Sequence, residues 1–306
     1  MRREDLPALI AMAPTGGMRC VPSHRFPASG EAAVAEDCWV VEERALFLDV
    51  AEVGLYTLMC TRTDAGGAAG FLPGDGVLDD GAAGVPAPVP EALALCAGFL
   101  LTESMIDTMA DIASLAICPE SPDVVKVRLV DPTRVRSNRR GGLVASSCGI
   151  CGGVDHAGDI QGGLVRVGDI LRIDAARSAP LMDQMQRLQT VFNTTGGTHA
   201  AALFSGEASL LASAEDLGRH NALDKVIGQC LLRGRPTAGC GAMLSGRVSL
   251  ELIIKAARAG IEIVAAVSAP SSLAIDAANR LGITLCGFVR HGRLTAFTHP
   301  HRLIRD

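Results

Sequence analysis

Aromatic side chains are scarce in this chain: eight Phe, one Trp and one Tyr make up 3% of its 306 residues. The core must therefore be assembled from Ala, Val, Leu and Ile, within an apolar fraction of 48%. Such an alanine-rich composition suits helices packed closely on a sheet. Long apolar runs are missing as well. No stretch of 18 or more uncharged apolar residues occurs, so the sequence offers no transmembrane helix. The opening MRREDLPALIAMAPTGGMRC is interrupted by Asp5 and Pro7 and does not read as a secretory signal. Positive charge is not in excess either. With 28 Lys and Arg against 33 Asp and Glu, the net charge of −5 argues against broad nucleic-acid binding, leaving RVRSNRRGG at 134–142 as a candidate local basic patch. Ten cysteines are too sparse for a disulfide scaffold, and the expected location is the cytoplasm, where thiols stay reduced. Eight of them (20, 38, 60, 96, 118, 230, 240 and 286) stand singly and read as buried small hydrophobes.

The length allows two domains, each with its own core. Residues 1–30 lack periodicity and read as a poorly ordered arm. An α+β domain over 31–140 is expected to hold two or three strands within 36–60 and a Gly/Pro/Asp-rich surface loop at 63–90. A helix over 91–104 and strands near 111–117 and 124–130 complete it. Residues 141–160 form a mobile loop around a C-x-x-C pair, and 161–306 an α/β domain. Within that domain, 164–173 is strand-like, 179–193 is an amphipathic helix, and two strands flank a turn at Gly206. Helices 220–232, 248–259 and 271–281 then alternate with strands 241–245, 261–267 and 283–289, and a short strand 294–298 closes the pattern. That alternation implies parallel strands with right-handed crossovers.

The stretch ASSCGICGGVDHAG, 145–158, holds Cys148 and Cys151 among glycines. A structural zinc site needs four ligands, and no second C-x-x-C exists, although His156, His199 or His220 could complete a mixed site. A stable disulfide is disfavoured by the compartment. Thioredoxin-like chemistry would place the pair at the start of a helix, which Gly149, Gly152 and Gly153 disfavour. A glycine-rich loop bearing two thiols suits sulfur delivery, in which a thiolate accepts sulfur as a persulfide and gives it up again.

Four downstream segments could bind or act on a ligand. In NTTGGTHAAALF (193–204), Gly196 and Gly197 would let backbone approach a ligand beside His199, a proton donor or a hydrogen-bonded core histidine. In AEDLGRHNALDKVIG (214–228), the dense charges at a helix start read as an ordinary solvated turn or as an anion site built from Arg219, His220 and Asn221. Ser245-Gly246-Arg247, and Ser268 with Ser271 and Ser272, sit at two strand-to-helix turns on the carboxyl edge of the sheet. Open α/β folds bind phosphates at that edge, and the plain alternative is helix capping. With Arg290 and Arg293 in GFVRHGRLTAFTH they suggest a nucleotide-phosphate site, though no P-loop or G-x-G-x-x-G is present.

The segments SSCGICG, TGGTHAAAL, EDLGRHNALDKVIG, LSGRVSLELIIKAARAGI, SAPSSLAIDAANRLGITLCGFVR and AFTHP, in this order, resemble the formate dehydrogenase accessory protein family, FdhD. The resemblance runs from about residue 36 to the C-terminus and is densest after 146. It implies a sulfurtransferase that takes sulfur from a cysteine desulfurase as a persulfide. The sulfur then passes to the bis-molybdopterin guanine dinucleotide form of the molybdenum cofactor, which formate dehydrogenase requires. Cys148 matches the family's persulfide cysteine, and Cys151 its second loop cysteine. Phe288, Val289, Arg290, His291, Gly292 and Arg293 match its cofactor-binding stretch. His199, Ser245, Gly246, Arg247 and Ser268 are further candidates to contact the cofactor and its guanine nucleotide. The resemblance also implies a homodimer and a larger C-terminal three-layer domain similar to cytidine deaminase. The deaminase zinc signature is absent, with Ala201 where a Glu would stand, so neither zinc nor deamination is expected. A chaperone that only binds and hands over the cofactor, and a zinc-dependent nucleotide hydrolase, are the competing functions.

Overall fold

The computed structural model describes residues 16–64, 70–71, 88–135, 143–144 and 164–305. Cys148 and Cys151 lie outside these residues, as do most of the 63–90 loop and of the basic stretch after Arg134.

The chain opens with a two-stranded antiparallel hairpin, β1 (Met18–Arg25) and β2 (Val34–Val41). The reading of 1–30 as an irregular arm therefore fails from Met18 onward. Cys20 and Cys38 are exposed on this hairpin, unlike the other six singly placed cysteines, which are buried.

A six-stranded mixed sheet follows. It contains β3 (Arg44–Val50), β4 (Gly54–Cys60), β5 (Gly70–Phe71), β6 (Ile112–Cys118), β7 (Ser121–Leu129) and β8 (Leu143–Val144), in the order β5-β6-β7-β3-β4-β8. Its strands alternate: Leu46, Leu48 and Val50 of β3 point inward while Phe47 points out. Helix α1 (Glu91–Thr102) covers the inward face. Every residue of α1 after Glu91 is buried, so it is apolar on all sides and sits inside the molecule.

The second six-stranded sheet runs β11-β10-β12-β13-β14-β15. Its members are β10 (His199–Phe204), β11 (Leu210–Asp216), β12 (Gly241–Leu244), β13 (Ile263–Ala266), β14 (Thr284–Arg290) and β15 (Arg293–Ala296). Strands β12, β13 and β14 are parallel and the rest antiparallel. All four residues of β12 and of β13 are buried, as continuous apolar runs in a sheet covered on both faces require. The short strands β9 (Ile173–Asp174) and β16 (Leu303–Ile304) pair separately. On one face lie α4 (Arg219–Leu232), α5 (Leu250–Arg258) and α6 (Ser272–Leu281), and on the other α2 (Ser178–Arg187), whose Leu181, Met182 and Met185 pack on Phe204, Met243 and Ala265. The fold is a mixed α/β one in which a single hydrophobic cluster joins the first sheet, α1, the helix layer and one face of the second sheet. No helix among the described residues is long and apolar enough to cross a membrane.

The small residues do specific work between α1 and α4. A Cβ on Gly98 would overlap the Asp224 carbonyl oxygen, and one on Gly228 the Ala94 carbonyl oxygen, so the two helix backbones touch.

Two expected elements come out differently. Of the 164–173 stretch only Ile173 is in a strand, at the start of β9. The backbone N–H groups of Ile170 and Leu171 donate instead to the buried Glu262 carboxylate, which Arg302 also engages. The 179–193 helix is split into α2 and α3 (Thr190–Thr195), because Gln189 is non-helical (ψ 72°). The Glu215 carboxylate then accepts from the N–H groups of Val191 and Phe192 at the start of α3.

Candidate functional site

Parallel strands β12, β13 and β14 end on one edge, and antiparallel β10 begins there. The loops after β12 and β13 are tied together: Val248 N–H donates to Ala269 O at 3.2 Å, and Ser271 N–H to Val248 O at 2.9 Å. Ser245 is occupied by the scaffold. Its Oγ accepts from Ala200 N at 2.8 Å, and its N–H donates to Ala200 O at 3.0 Å. Ser271 caps α6 through Ala274 N. These two serines therefore fix the loops, as the capping alternative holds.

Positive charge gathers around His199. Gly246 lies flat against its ring, where a Cβ would stand 3.1 Å from Nδ1 and 3.9 Å from Arg219 Cδ. The His199 imidazole is held below its ordinary range, first by burial, then by the positive charges of Arg219 and Arg247, with Asp216 opposing them. Arg219 opens α4, and its Nε is buried with no acceptor among the described residues. Arg247 is exposed, and neither guanidinium is ion-paired within the described residues. Two guanidiniums and an imidazole thus converge at one strand edge, with Asp216 facing the ring and Glu251 facing Arg219.

The Phe288–Arg293 stretch forms the β14–β15 hairpin further along the same edge. Pairing slips between Gly287 and Arg290, and Phe288 takes a positive φ of 55° while remaining 40% exposed. A bulky residue in this region carries strain of about 1–3 kcal/mol that its surroundings must hold in place. Here the Phe288 N–H donates to Ser268 O, and the Phe297 ring lies 6.3 Å away. Ser268 is thereby joined to the hairpin. Val289 points into the second core and is 1% exposed, so it cannot face a ligand, whereas Arg290, His291, Gly292 and Arg293 are exposed at the tip. Three strand spacings, about 14 Å, separate β10 from β14.

The rest of the EDLGRHNALDK stretch turns inward, and the solvated reading of this helix start does not hold. The Lys225 ammonium reaches Asp216 and Glu91 at 3.0 Å each, the Glu215 carbonyl at 2.9 Å, and the Thr61 carbonyl. Asp216 also accepts from Thr61 N, Gly218 N and Asn221 Nδ2. His220 lies 3.3 Å from both Ser249 Oγ and Glu251. Lys255 pairs with Asp224 at 2.9 Å and Glu103 at 3.0 Å. In the TGGTH stretch, Gly196 ends α3 with φ 70°, and Gly197 packs against Val41 of β2 rather than opening to a ligand. Arg134 of the basic stretch is ion-paired to Asp107 and Asp111. Of the three residues that the sequence groups as a candidate anion site, His220 and Asn221 are buried, and Arg219, at the first helical position, keeps a side-chain donor without an acceptor among the described residues.

Comparisons with known proteins agree with one another. The FdhD/NarQ family model matches residues 88–304. A sulfur carrier protein FdhD of Thermoplasma acidophilum is 42% identical over 216 residues, covering 69% of this chain and 75% of the relative. Its namesake from Anaeromyxobacter sp. is 40% identical over 231 residues, covering 68% and 78%. The crystal structure of a formate dehydrogenase accessory protein from Desulfotalea psychrophila superposes with a TM-score of 0.67 over 94% of this chain and 99% of that one, at 21% identity, and so shares the fold. With its family-matched segment carrying α1 and the whole second sheet, this chain belongs to the FdhD/NarQ family.

Proposed function

We propose that the chain is a sulfurtransferase that carries sulfur as a persulfide on Cys148 and delivers it to the bis-molybdopterin guanine dinucleotide cofactor destined for formate dehydrogenase. The observation that carries this reading is the cluster of guanidiniums at the sheet edge that make no ion pair among the described residues, Arg219 with its Nε buried, in a chain whose relatives are named sulfur carriers. Arg219, Arg247, Arg290 and Arg293 can take the pyrophosphates of a dinucleotide without a large net positive charge on the protein.

The topology supports delivery to that edge. Strand β8 runs parallel to β4, with Val144 opposite Leu58. Beyond Leu58, β4 reaches the Met59 carbonyl that accepts from Asn221 and the Thr61 N–H that donates to Asp216, the register partner of His199. Strand β8, which the chain follows to Val144, thus points toward the His199 end of the edge. Four peptide units separate Val144 from Cys148, so their Cα atoms lie within about 15 Å.

Loading is a thiol exchange. The Cys148 thiolate attacks the outer sulfur of the desulfurase persulfide, its S–S bond breaks, and the desulfurase thiolate leaves. Release as hydrosulfide needs two electrons. Attack of the Cys151 thiolate on the Cys148 sulfur supplies them, leaving a Cys148–Cys151 disulfide that a cellular dithiol reduces. Such turnover belongs in the reducing cytoplasm.

The test is maturation of formate dehydrogenase by Cys148→Ala protein. Activity of the matured enzyme is expected to vanish while the variant still binds guanine nucleotide. Full maturation by Cys148→Ala would show instead a protein that only holds the cofactor.

A further inference from the structure

We infer that Ser249, His220 and Glu251 form a proton relay at the turn between β12 and α5, and that it carries the proton that moves when sulfur is discharged. The inference rests on the function proposed above and adds the groups that give the discharge step its acid–base chemistry.

Two serines in equivalent places behave differently. Ser249 stands one residue before α5 and Ser271 one residue before α6. Ser271 Oγ accepts from Ala274 N at 3.2 Å and caps its helix. Ser249 makes no side-chain cap and forgoes that stabilisation; its Oγ lies 3.3 Å from His220 Nε2 instead. Glu251 Oε2 stands 3.3 Å from the same nitrogen. One imidazole nitrogen thus serves both neighbours, and a proton taken from the hydroxyl passes to the carboxylate without rotation of the ring. The turn is fixed, because Val248 is buried and both its N–H and its carbonyl are bonded to the turn before α6. His220 is buried while Ser249 and Glu251 are half-buried, so protons reach the ring through these two partners.

The surrounding charges suit a proton store. Burial pushes the Glu251 carboxyl up; Lys255 opposes this, Glu103 adds to it, and Arg219 opposes it. The Lys255 ammonium is already shared between Asp224 at 2.9 Å and Glu103 at 3.0 Å, so it does not hold Glu251 fully ionised. Discharge of sulfur moves one proton. Starting from an anionic persulfide on Cys148, the Cys151 sulfur supplies the electron pair of the new Cys148–Cys151 bond. The pair of the broken S–S bond leaves with the outer sulfur, and the proton lost by the Cys151 thiol is the one the departing hydrosulfide gains. Ser249 takes that proton as its own passes to His220 Nε2, Glu251 stores it, and the reverse path returns it to the sulfide.

Sulfide release from the full chain tests the relay, in a single turnover after loading by a cysteine desulfurase and without added dithiol, measured across pH per loaded sulfur. Ser249→Ala and His220→Gln should each slow release by about tenfold or more. Ser249→Thr should recover most of the rate, and added imidazole part of it. Glu251→Gln should remove the limb of the pH profile that follows Glu251. Because Ser249 makes no side-chain cap, its alanine variant should keep its thermal midpoint, and it decides the matter even if His220→Gln fails to fold. A second readout needs no sulfur: the nitrogen NMR signals of the His220 ring should follow the titration of Glu251, and should cease to do so in Glu251→Gln. Wild-type release with an unchanged pH profile in both Ser249→Ala and Glu251→Gln, or a His220 ring indifferent to Glu251, would overturn the relay. The two readings separate. Coupled titration of His220 with Glu251 and no sulfur on Cys148 keeps the relay and removes the sulfur transfer. Sulfur loaded on Cys148 and released at the wild-type rate by Ser249→Ala does the reverse.

Discussion

Two clusters of charge meet at the first turn of α4 and have opposite fates. Inside, Lys225 and Lys255 are buried, and each is matched by two carboxylates and by oxygen acceptors supplied by the surrounding chain. At the edge, six residues before Lys225, Arg219 has a buried donor and no acceptor among the described residues, with His199 and Arg247 alongside. Burial alone does not separate the two. Pairing does: a saturated network holds α1, α4, α5 and the end of β4 together, while an unsaturated one is left for something the chain does not contain.

That contrast can be broken from either side. The largest effect is expected inside. Lys225→Ala leaves Asp216 and Glu91 buried without their cation, and should cost about 3–5 kcal/mol in chemical denaturation. A loss under about 1 kcal/mol would remove the structural reading of the network. Gly228→Ala drives a Cβ into the Ala94 carbonyl and should cost about 1–3 kcal/mol or more by the same measurement, since two helix backbones must part.

The pH dependence of stability follows from the same groups. Lys225 and Lys255 titrate above their ordinary value of 10.5: burial, the largest single influence, would lower them, but Asp216 with Glu91, and Asp224 with Glu103, together outweigh it. Their contribution is therefore complete below about pH 10.5 and is lost as pH rises beyond it. Glu91 titrates below its ordinary 4.5 despite its burial, because Lys225 and the Thr63 hydrogen bonds favour its charged form. Its contribution is present above pH 4.5 and is lost as pH falls below that value. Asp224, pushed up to about 6 by burial, adds its own slope between about pH 4 and 6, and Lys225→Met should flatten the flanks of the denaturation midpoint set by Glu91 and Lys225.

At the edge the expected stability effects are smaller and the ligand effects larger. Gly246→Val pushes a side chain into the His199 ring, and should weaken pyrophosphate binding about tenfold while shifting the thermal midpoint little. The smallest change is expected from Cys20→Ser with Cys38→Ser. These exposed thiols of the β1–β2 hairpin should contribute within about 0.5 kcal/mol by denaturation.

Much of this was legible in the sequence, and the reasons for the rest are physical. The helix–strand alternation after residue 219 reads correctly because buried parallel strands are short apolar runs between amphipathic helices. The single helix over 179–193 does not, because the side chain that interrupts it, Glu215, is far along the chain. The 164–173 stretch alternates like a strand, yet its N–H groups are taken by Glu262, another distant carboxylate. For the candidate site, the strand-edge positions of Gly246, Arg247, Ser268 and the 288–293 hairpin follow from pattern. That Val289 turns inward, that Phe288 adopts a positive φ, and that Arg219 parts company with His220 and Lys225 depend on neighbours that periodicity does not name.

Mass spectrometry of the Cys148 and Cys151 peptides, after incubation with a cysteine desulfurase and isotopically labelled cysteine sulfur, tests the sulfur-carrier reading most directly. One labelled sulfur on Cys148, removed by a dithiol, is the expected result. An unlabelled Cys148, with label absent or confined to another cysteine, would contradict it.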